Sequence, residues 1–400
     1  MRVMNLSGMN LSGMTLSGLT RIWRLSVGVL GLALLLGCVA PSPPGTARGS
    51  VELFAPGEVI ALTPDADTAA LVRAGAARAE FELLEDVSLS ALDLRMLRFA
   101  YPPDLDGRGA IAVLEDLNPS VIAGVNHAYR LASLEGAEQF DYADALLAWP
   151  SGGCRTVGPI GLLDTGVDVS AAAGSTGTVV RRSFVRGTGI GDRHGSDVAS
   201  VLLNPERVAG ARIYSAAVVE RAGAGDGRAS VDSLIKGLDW LASEGVRVVN
   251  VSLTGPYNKL LDRSVQEAVR GRMTLVAAVG NEGAGGPPRY PAAFEDVIAV
   301  TAVDADRRIY RNASRGAHVD VAAPGVDIAI TRGGEIRFVT GTSVAAPFVT
   351  ARIATDPALF GQPAAQIRRA LANSTQDLGP PGIDATFGAG LLRAARRCAR

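Results

Sequence analysis

Cysteine and histidine are scarce, with three of each in 400 residues. That excludes a metal centre built on clustered Cys and His ligands. Net charge is almost absent: 39 Lys and Arg against 40 Asp and Glu leave −1 at pH 7. Without a basic field, nucleic acid is excluded as the main partner. Long apolar runs are missing too, since the longest, Leu25 to Leu36, falls well short of the ~20 residues a membrane-spanning helix needs. What is present is core material. A 48% hydrophobic and 20% charged composition excludes global disorder, and 400 residues suffice for two folded units plus tails.

The apolar run follows Arg21 and Arg24, so residues 1–37 read as an export signal. The run ends in Leu35-Leu36-Gly37-Cys38, which resembles the lipobox of bacterial lipoproteins. The resemblance implies acylation of Cys38 after cleavage before it, and a lipid-anchored protein of the outer membrane or periplasm. Leu36 is bulkier than is usual there. The alternative is an ordinary secretory signal with Cys38 incidental. Residues 38–50, rich in Pro, Gly and Ser, have the composition of a tether. Before Arg21, Asn-Leu-Ser-Gly-Met begins at Asn5 and again at Asn10, so Met14 is the more natural start.

Two patterned blocks follow. In residues 51–132, strand-like Glu58–Leu62 leads into a helix over Asp65–Ala77. Strands Ala79–Leu84 and Asp93–Ala100 come next, then a helix opened by Asp106, then a closing strand Val125–Leu131. The order strand, helix, strand, strand, helix, strand predicts a small α+β ferredoxin-like sandwich. Residues 133–153 read as a linker. From Cys154 onward, apolar strands at Pro159–Leu163, Val246–Leu253, Thr274–Val279 and Val297–Val303 alternate with helices over Ser196–Leu203, Ser230–Ser243 and Leu260–Gly271. That alternation predicts an α/β domain over 154–400, a parallel sheet with helices on both faces. Active sites collect at the carboxyl ends of such strands.

Four candidate residues lie there. Asp164 follows the first strand of the domain, where a carboxylate can orient a histidine or merely cap a turn. His194 sits just before a helix, and a group titrating near neutrality suits a general base; the other histidines are His127, in the first block, and His318, in a loop. Ser343 sits in Gly341-Thr-Ser-Val-Ala-Ala-Pro347 at a helix N-terminus, where free N–H groups favour negative charge; a plain cap serine is the bland alternative. Asn281, after Thr274–Val279, is either a turn residue or an amide donor to an oxyanion. Cys154 and Cys398 flank the second block. In an oxidising compartment they pair and clip its ends together, or they are two unrelated buried thiols.

Together, these segments resemble the subtilisin-like serine peptidases. The match covers about Gly158 to Leu392, through Asp164-Thr-Gly166, His194-Gly195, Asn281-Glu-Gly283 and Gly341-Thr-Ser-Val-Ala-Ala-Pro347. Asn250-Val-Ser-Leu253, Tyr290-Pro291, Ala322-Ala-Pro-Gly325 and Phe387-Gly-Ala-Gly390 extend it. The order Asp, His, Ser separates it from the chymotrypsin and α/β-hydrolase arrangements. Ser196 departs from the usual Thr but keeps the hydroxyl. The resemblance implies a secreted or lipid-anchored endopeptidase acting on protein or peptide substrates, with Asp164, His194 and Ser343 as triad and Asn281 as oxyanion donor.

It also implies that Ser252, Leu253, Thr254 and Gly255 pair with substrate, with Thr254 narrowing a rim where glycine is common. Arg289 then lies near the floor of the first specificity pocket, favouring acidic or small residues before the cut, or else it points to solvent. The first block resembles the family's propeptide, an intramolecular inhibitor removed by self-cleavage between about Leu131 and Gly153; a permanent accessory domain is the alternative. Members of the family often bind calcium, but the acidic residues around Asp192 and Asp226 form no calcium loop, and Gly187–Gly191 lacks the context of a phosphate loop. The competing functions are a dedicated processing enzyme for one partner protein and an inactive binding protein on the same fold.

Overall fold

The computed structural model describes residues 53–131, 142–168, 177–186, 193–220, 227–332 and 335–394. Ser50–Arg400 form one compact unit. The signal, the tether and Cys38 lie outside the described residues, and among those described no helix is long and apolar enough to cross a membrane.

The N-terminal block runs β1 (Glu58–Thr63), α1 (Ala66–Arg78), β2 (Glu82–Leu89), β3 (Leu94–Ala100), α2 (Gly107–Asp116) and β4 (Ile122–Val125). Its sheet has the order β2-β3-β1-β4, antiparallel throughout, which is the sandwich topology the element order predicts. Both helices start where an aspartate accepts a backbone N–H: Thr68 donates to Asp65 Oδ1 at 2.6 Å and Gly109 to Asp106 Oδ1 at 2.7 Å. The second strand begins later than the sequence pattern indicates. The chain first turns through Glu80 at positive φ, and pairing starts at Glu82. The period of two in β1 splits its apolar residues between two cores. Val59 and Ala61 pack on the block's own helices. Ile60 and Leu62 pack into the core of the larger domain.

The expected closing strand Val125–Leu131 is in fact two. After β4 the chain leaves its sheet at Asn126 and continues as β5 (Ala128–Leu131), which pairs with the larger domain. Asn126 accounts for the break. Its side chain accepts from Val231 N–H at 2.8 Å and donates to Asp232 at 3.0 Å.

The larger domain contains α3 (Ala143–Leu147), β6 (Cys154–Arg155), β7 (Ile160–Asp164), β8 (Thr178–Ser183), α4 (Arg193–Leu202), β9 (Val208–Ala209), β10 (Arg212–Ala217), β11 (Val219–Glu220), β12 (Arg228–Ser230), α5 (Val231–Ser243), β13 (Val248–Val251), β14 (Leu253–Thr254), α6 (Lys259–Arg270), β15 (Thr274–Ala278), β16 (Val297–Val303), β17 (Val321–Pro324), β18 (Ile328–Arg332), β19 (Glu335–Val339), α7 (Thr342–Ala354) and α8 (Ala364–Ala372). Seven strands form a parallel sheet in the order β17-β16-β15-β13-β7-β10-β8. Helices α4, α7 and α8 pack on one face; α5 and α6 pack on the other, sandwiched against the N-terminal sheet.

Part of the expected linker 133–153 belongs to this core. Ala143 and Leu147 are fully buried, and Trp149 donates to Arg207 O at 2.9 Å. Arg207, itself buried, bonds Asp144 Oδ1 at 2.8 Å and lies 4.2 Å over the Phe348 ring of α7.

A charge network crosses between the two blocks. Asp232 is fully buried at the start of α5 and meets Arg186 at 3.0 Å, Lys236 at 3.4 Å and Arg98 of the N-terminal block at 4.0 Å. Arg98 also pairs with Glu58 and Glu85. Burial raises the Asp232 pKa, but Arg186 and Lys236 outweigh it and hold the carboxyl down at about 2. Because the folded value lies below the unfolded one, this charge stabilises above the usual carboxylate range and its contribution is lost as pH falls toward 2. Asp232→Asn is therefore expected to cost about 3–5 kcal/mol at neutral pH, as expected for breaking a buried pair. Thermal unfolding of both proteins between neutral pH and pH 2 checks this, and the gap in melting temperature should close at the acid end.

Candidate active site

Asp164 ends β7, an interior strand, so its carboxylate stands at the carboxyl edge of the sheet. It is the last residue of the strand rather than the first beyond it. It is fully buried, a cost met only by hydrogen bonds to the charge. Thr165 N–H donates to Oδ1 at 2.6 Å, and His194 Nδ1 lies 2.7 Å from the same oxygen.

His194 is inside the first turn of α4 rather than just before it. Gly195 makes that approach feasible. Its N–H donates to Thr165 Oγ1 at 2.7 Å, and a Cβ there would stand 2.6 Å from the Thr165 carbonyl oxygen. Nδ1 faces the Asp164 carboxylate, so Nε2 lies on the far side of the ring. The other two histidines do not share this arrangement: burial pushes the pKa of both His127 and His318 down.

Ser343 is the second residue of α7 and is fully buried. In a regular helix its carbonyl would accept from residue 347. Pro347 has no N–H to give. Ser252 Oγ fills the place, donating to Ser343 O at 2.8 Å. Asn250 donates to Ser252 Oγ at 2.9 Å, and Thr350 of α7 donates to Asn250 Oδ1 at 2.9 Å. A closed set of polar side chains thus fixes the start of α7 on β13 and the residue after it.

Asn281 lies beside the same helix end. Its Oδ1 accepts from Thr342 N–H at 3.2 Å and from Thr342 Oγ1 at 2.9 Å. That fixes the amide so its donor end faces away from Thr342. An amide held this way beside the Ser343 backbone N–H is the kind of donor an oxyanion site uses.

Beside these residues lies a strand of the chain itself. β5 pairs antiparallel with β14, Leu131 opposite Leu253 and Arg130 opposite Thr254, and with β12 on its other edge. Within the stretch Ser252–Gly255, Leu253 and Thr254 are thus paired with an extended segment of the chain itself. Tyr129 is fully buried in the domain, its ring against Gly255, where a Cβ would come within 2.3 Å. Its hydroxyl donates to Pro256 O at 3.1 Å, and burial pushes its pKa up. Only 10 Å³ of space remains around it, lined by Leu234, Leu253, Leu261 and their neighbours. Composition and spacing gave no signal for this aromatic anchor.

Arg289 does not point to solvent. Its Nε lies 3.0 Å from Glu282 Oε1, and its Cγ packs over Gly280. Glu282 Oε2 accepts from Ser314 Oγ at 2.9 Å. The charge of Arg289 is thus matched beside Gly280 by Glu282, a partner that sequence reasoning missed. Thr254 is buried under β5. Cys154 is disulfide-bonded, while Cys38 and Cys398 lie outside the described residues. Among the described residues no cluster of His, Cys, Asp and Glu fits a metal ion.

The profile of the subtilase family, peptidase S8, matches residues 159–390. Over 267 residues the chain is 31% identical to the minor extracellular protease Epr of Bacillus subtilis, a stretch covering 62% of this chain and 39% of that protein. It is 30% identical to subtilisin DY of Bacillus licheniformis, over 55% of this chain and 84% of that one. Subtilisin Savinase of Lederbergia lenta is 33% identical, over 59% and 88%. In fold, the structure resembles fervidolysin from Fervidobacterium pennivorans, with a TM-score of 0.68 and 20% identity over 86% of this chain and 61% of that one.

Proposed function

The chain belongs to the subtilase family, and on that premise we propose that it is an exported serine endopeptidase made as a self-inhibited precursor. The observation that carries the reading is β5, an extended peptide of the chain's own, paired on both edges and lying opposite Leu253, next to the Ser252 that holds Ser343. Ser343 Oγ attacks a peptide carbonyl carbon as His194 Nε2 takes its proton. Asn281 and the Ser343 backbone N–H stabilise the oxyanion. The C–N bond breaks, His194 returns the proton to the leaving amine, and water hydrolyses the ester by the same route.

The register indicates the first bond cut. Leu131 stands opposite Leu253, and the neighbouring Ser252 is bonded to Ser343. The residue after Leu131 is Ala132, so the proposed cut is Ala132–Ser133. It would free a mature domain that keeps Tyr142, whose hydroxyl donates to Val326 O at 2.8 Å, and the buried α3. Tyr129 then marks a preference for an aromatic residue three places before the cut residue.

At the cut residue itself the preference is for small uncharged side chains, since Arg289 and Glu282 neutralise each other. Glu282→Gln should release the guanidinium and raise kcat/KM for acidic residues there by about tenfold or more, the worth of one hydrogen bond to a charge. Peptides spanning residues 124–138 with Ala, Glu or Phe at position 132 test both points. A wild-type preference for Phe would sink the specificity reading, and no cleavage of any peptide would sink the peptidase reading.

Export rests on the signal-like residues 1–37 and on the extracellular protease among the relatives. Acylation of Cys38 would hold the precursor at the envelope until the cut releases the mature domain. Cys154 pairs with Cys398 in this reading. Ala394 N–H donating to Leu147 O at 3.0 Å brings the chain to within a few residues of that cysteine beside α3.

A further inference from the structure

A cavity of 260 Å³ opens between α6 and the stretch Tyr290–Asp296, next to the cleft but outside the set of residues that β5 covers. Its floor is aromatic. Tyr257 meets Tyr290 at 5.3 Å with the rings at 75° and Phe294 at 6.1 Å, and Tyr290 meets Phe294 at 4.7 Å. Tyr257 is 51% exposed despite belonging to this cluster. The rim is acidic, carrying Asp262, Glu295 and Asp296, and no Lys or Arg lines the space. The nearby arginines are already matched within the larger domain: Arg263 and Arg270 by Glu267, Arg289 by Glu282.

The cavity is continuous with the peptide-binding strand. Tyr290 and Gly255 exchange both backbone hydrogen bonds, at 2.8 and 2.9 Å. The register that sets Arg130 opposite Thr254 brings His127 to Tyr257 three residues on. There Asn258 Nδ2 lies 3.0 Å from His127 Nδ1 and donates to Val125 O at 3.0 Å. A bound peptide therefore passes the mouth of the cavity on the acyl side of the cut.

Aromatic faces ringed by carboxylates reject an anion and leave a plain alkyl group facing charges. A flat or rounded cation on an alkyl stem satisfies both walls. At 260 Å³ the space is below the ~300 Å³ at which cofactor- or drug-sized pockets begin, and it suits one side chain. We propose that this cavity holds an arginine or lysine side chain of the polypeptide being cut, at the place of His127 or one residue to either side. The inference rests on the peptidase reading above and narrows its substrate class to chains basic upstream of the cut.

The test uses peptides spanning residues 124–138, with arginine or uncharged norleucine at position 126, 127 or 128. At one of these positions the arginine peptide should show a kcat/KM about 3- to 30-fold above its norleucine counterpart, the range of a partly desolvated cation–π contact. Asp262→Asn and Tyr257→Leu should each reduce that ratio, and Asp262→Asn should leave norleucine peptides unaffected. Equal rates at all three positions overturn the proposal. So does an arginine preference that survives both substitutions, since the contact then lies elsewhere. If no peptide of either kind is cut, the peptidase reading falls and takes this inference with it.

Discussion

Alanine at Ser343 is expected to leave the fold unchanged and to lower peptide cleavage by about 10⁶, the loss that follows removal of the nucleophile from subtilisin itself. The fold should tolerate it because Ser252 holds the carbonyl of Ser343, not its hydroxyl. The start of α7 is kept by that bond, by Thr342 on Asn281 and by Thr350 on Asn250. Removing one oxygen therefore deletes the nucleophile and leaves the surrounding donors in place. Steady-state kinetics on a 124–138 peptide, with a melting curve as control, measure both halves. A variant that keeps its activity would remove Ser343 from the mechanism.

Asparagine at Asp164 is expected to cost about 10⁴ in kcat, the loss that a serine peptidase of a different fold suffers from the same change. Volume and burial are preserved, so the loss comes from the hydrogen bond at 2.7 Å to His194 Nδ1. An amide that donates its N–H there forces the imidazole proton onto Nε2, where it blocks the base. KM should change little, because Asp164 does not touch the peptide strand. Combined with Ser343→Ala, the substitution should cost nothing further, since residues acting as one unit are not additive. A double variant well below Ser343→Ala alone would mean that Asp164 has a separate role.

Much of this arrangement was legible before the fold, for reasons that differ by element. The inner strands β7, β13, β15 and β16 are buried on both faces, so they stand out as continuous apolar runs; Val297–Val303 was placed to the residue, while the exposed edge strand β8 gave no such signal. The helix at His194 was harder. Its first turn is Arg-His-Gly-Ser, which carries no apolar period, and tertiary contacts at Gly195 start the helix before the pattern does. The break at Asn126 was invisible because its cause is the first N–H of α5, 105 residues away. Likewise, Tyr142–Trp149 look like a linker by composition and become core only through Arg207 and Val326, far along the chain. Motifs singled out Asp164, His194, Asn281 and Ser343 for the chemistry proposed. They were silent on Tyr129 and Glu282, whose roles depend on which strand lies beside which.

The central claim is that β5 occupies the cleft of an active enzyme that cuts itself just beyond it. Intact masses and N-terminal sequences of the purified chain and of Ser343→Ala test it directly. The account predicts a shortened wild-type species beginning at Ser133 and a variant that stays uncut. A variant shortened at the same bond would contradict it, because another peptidase would then be making the cut.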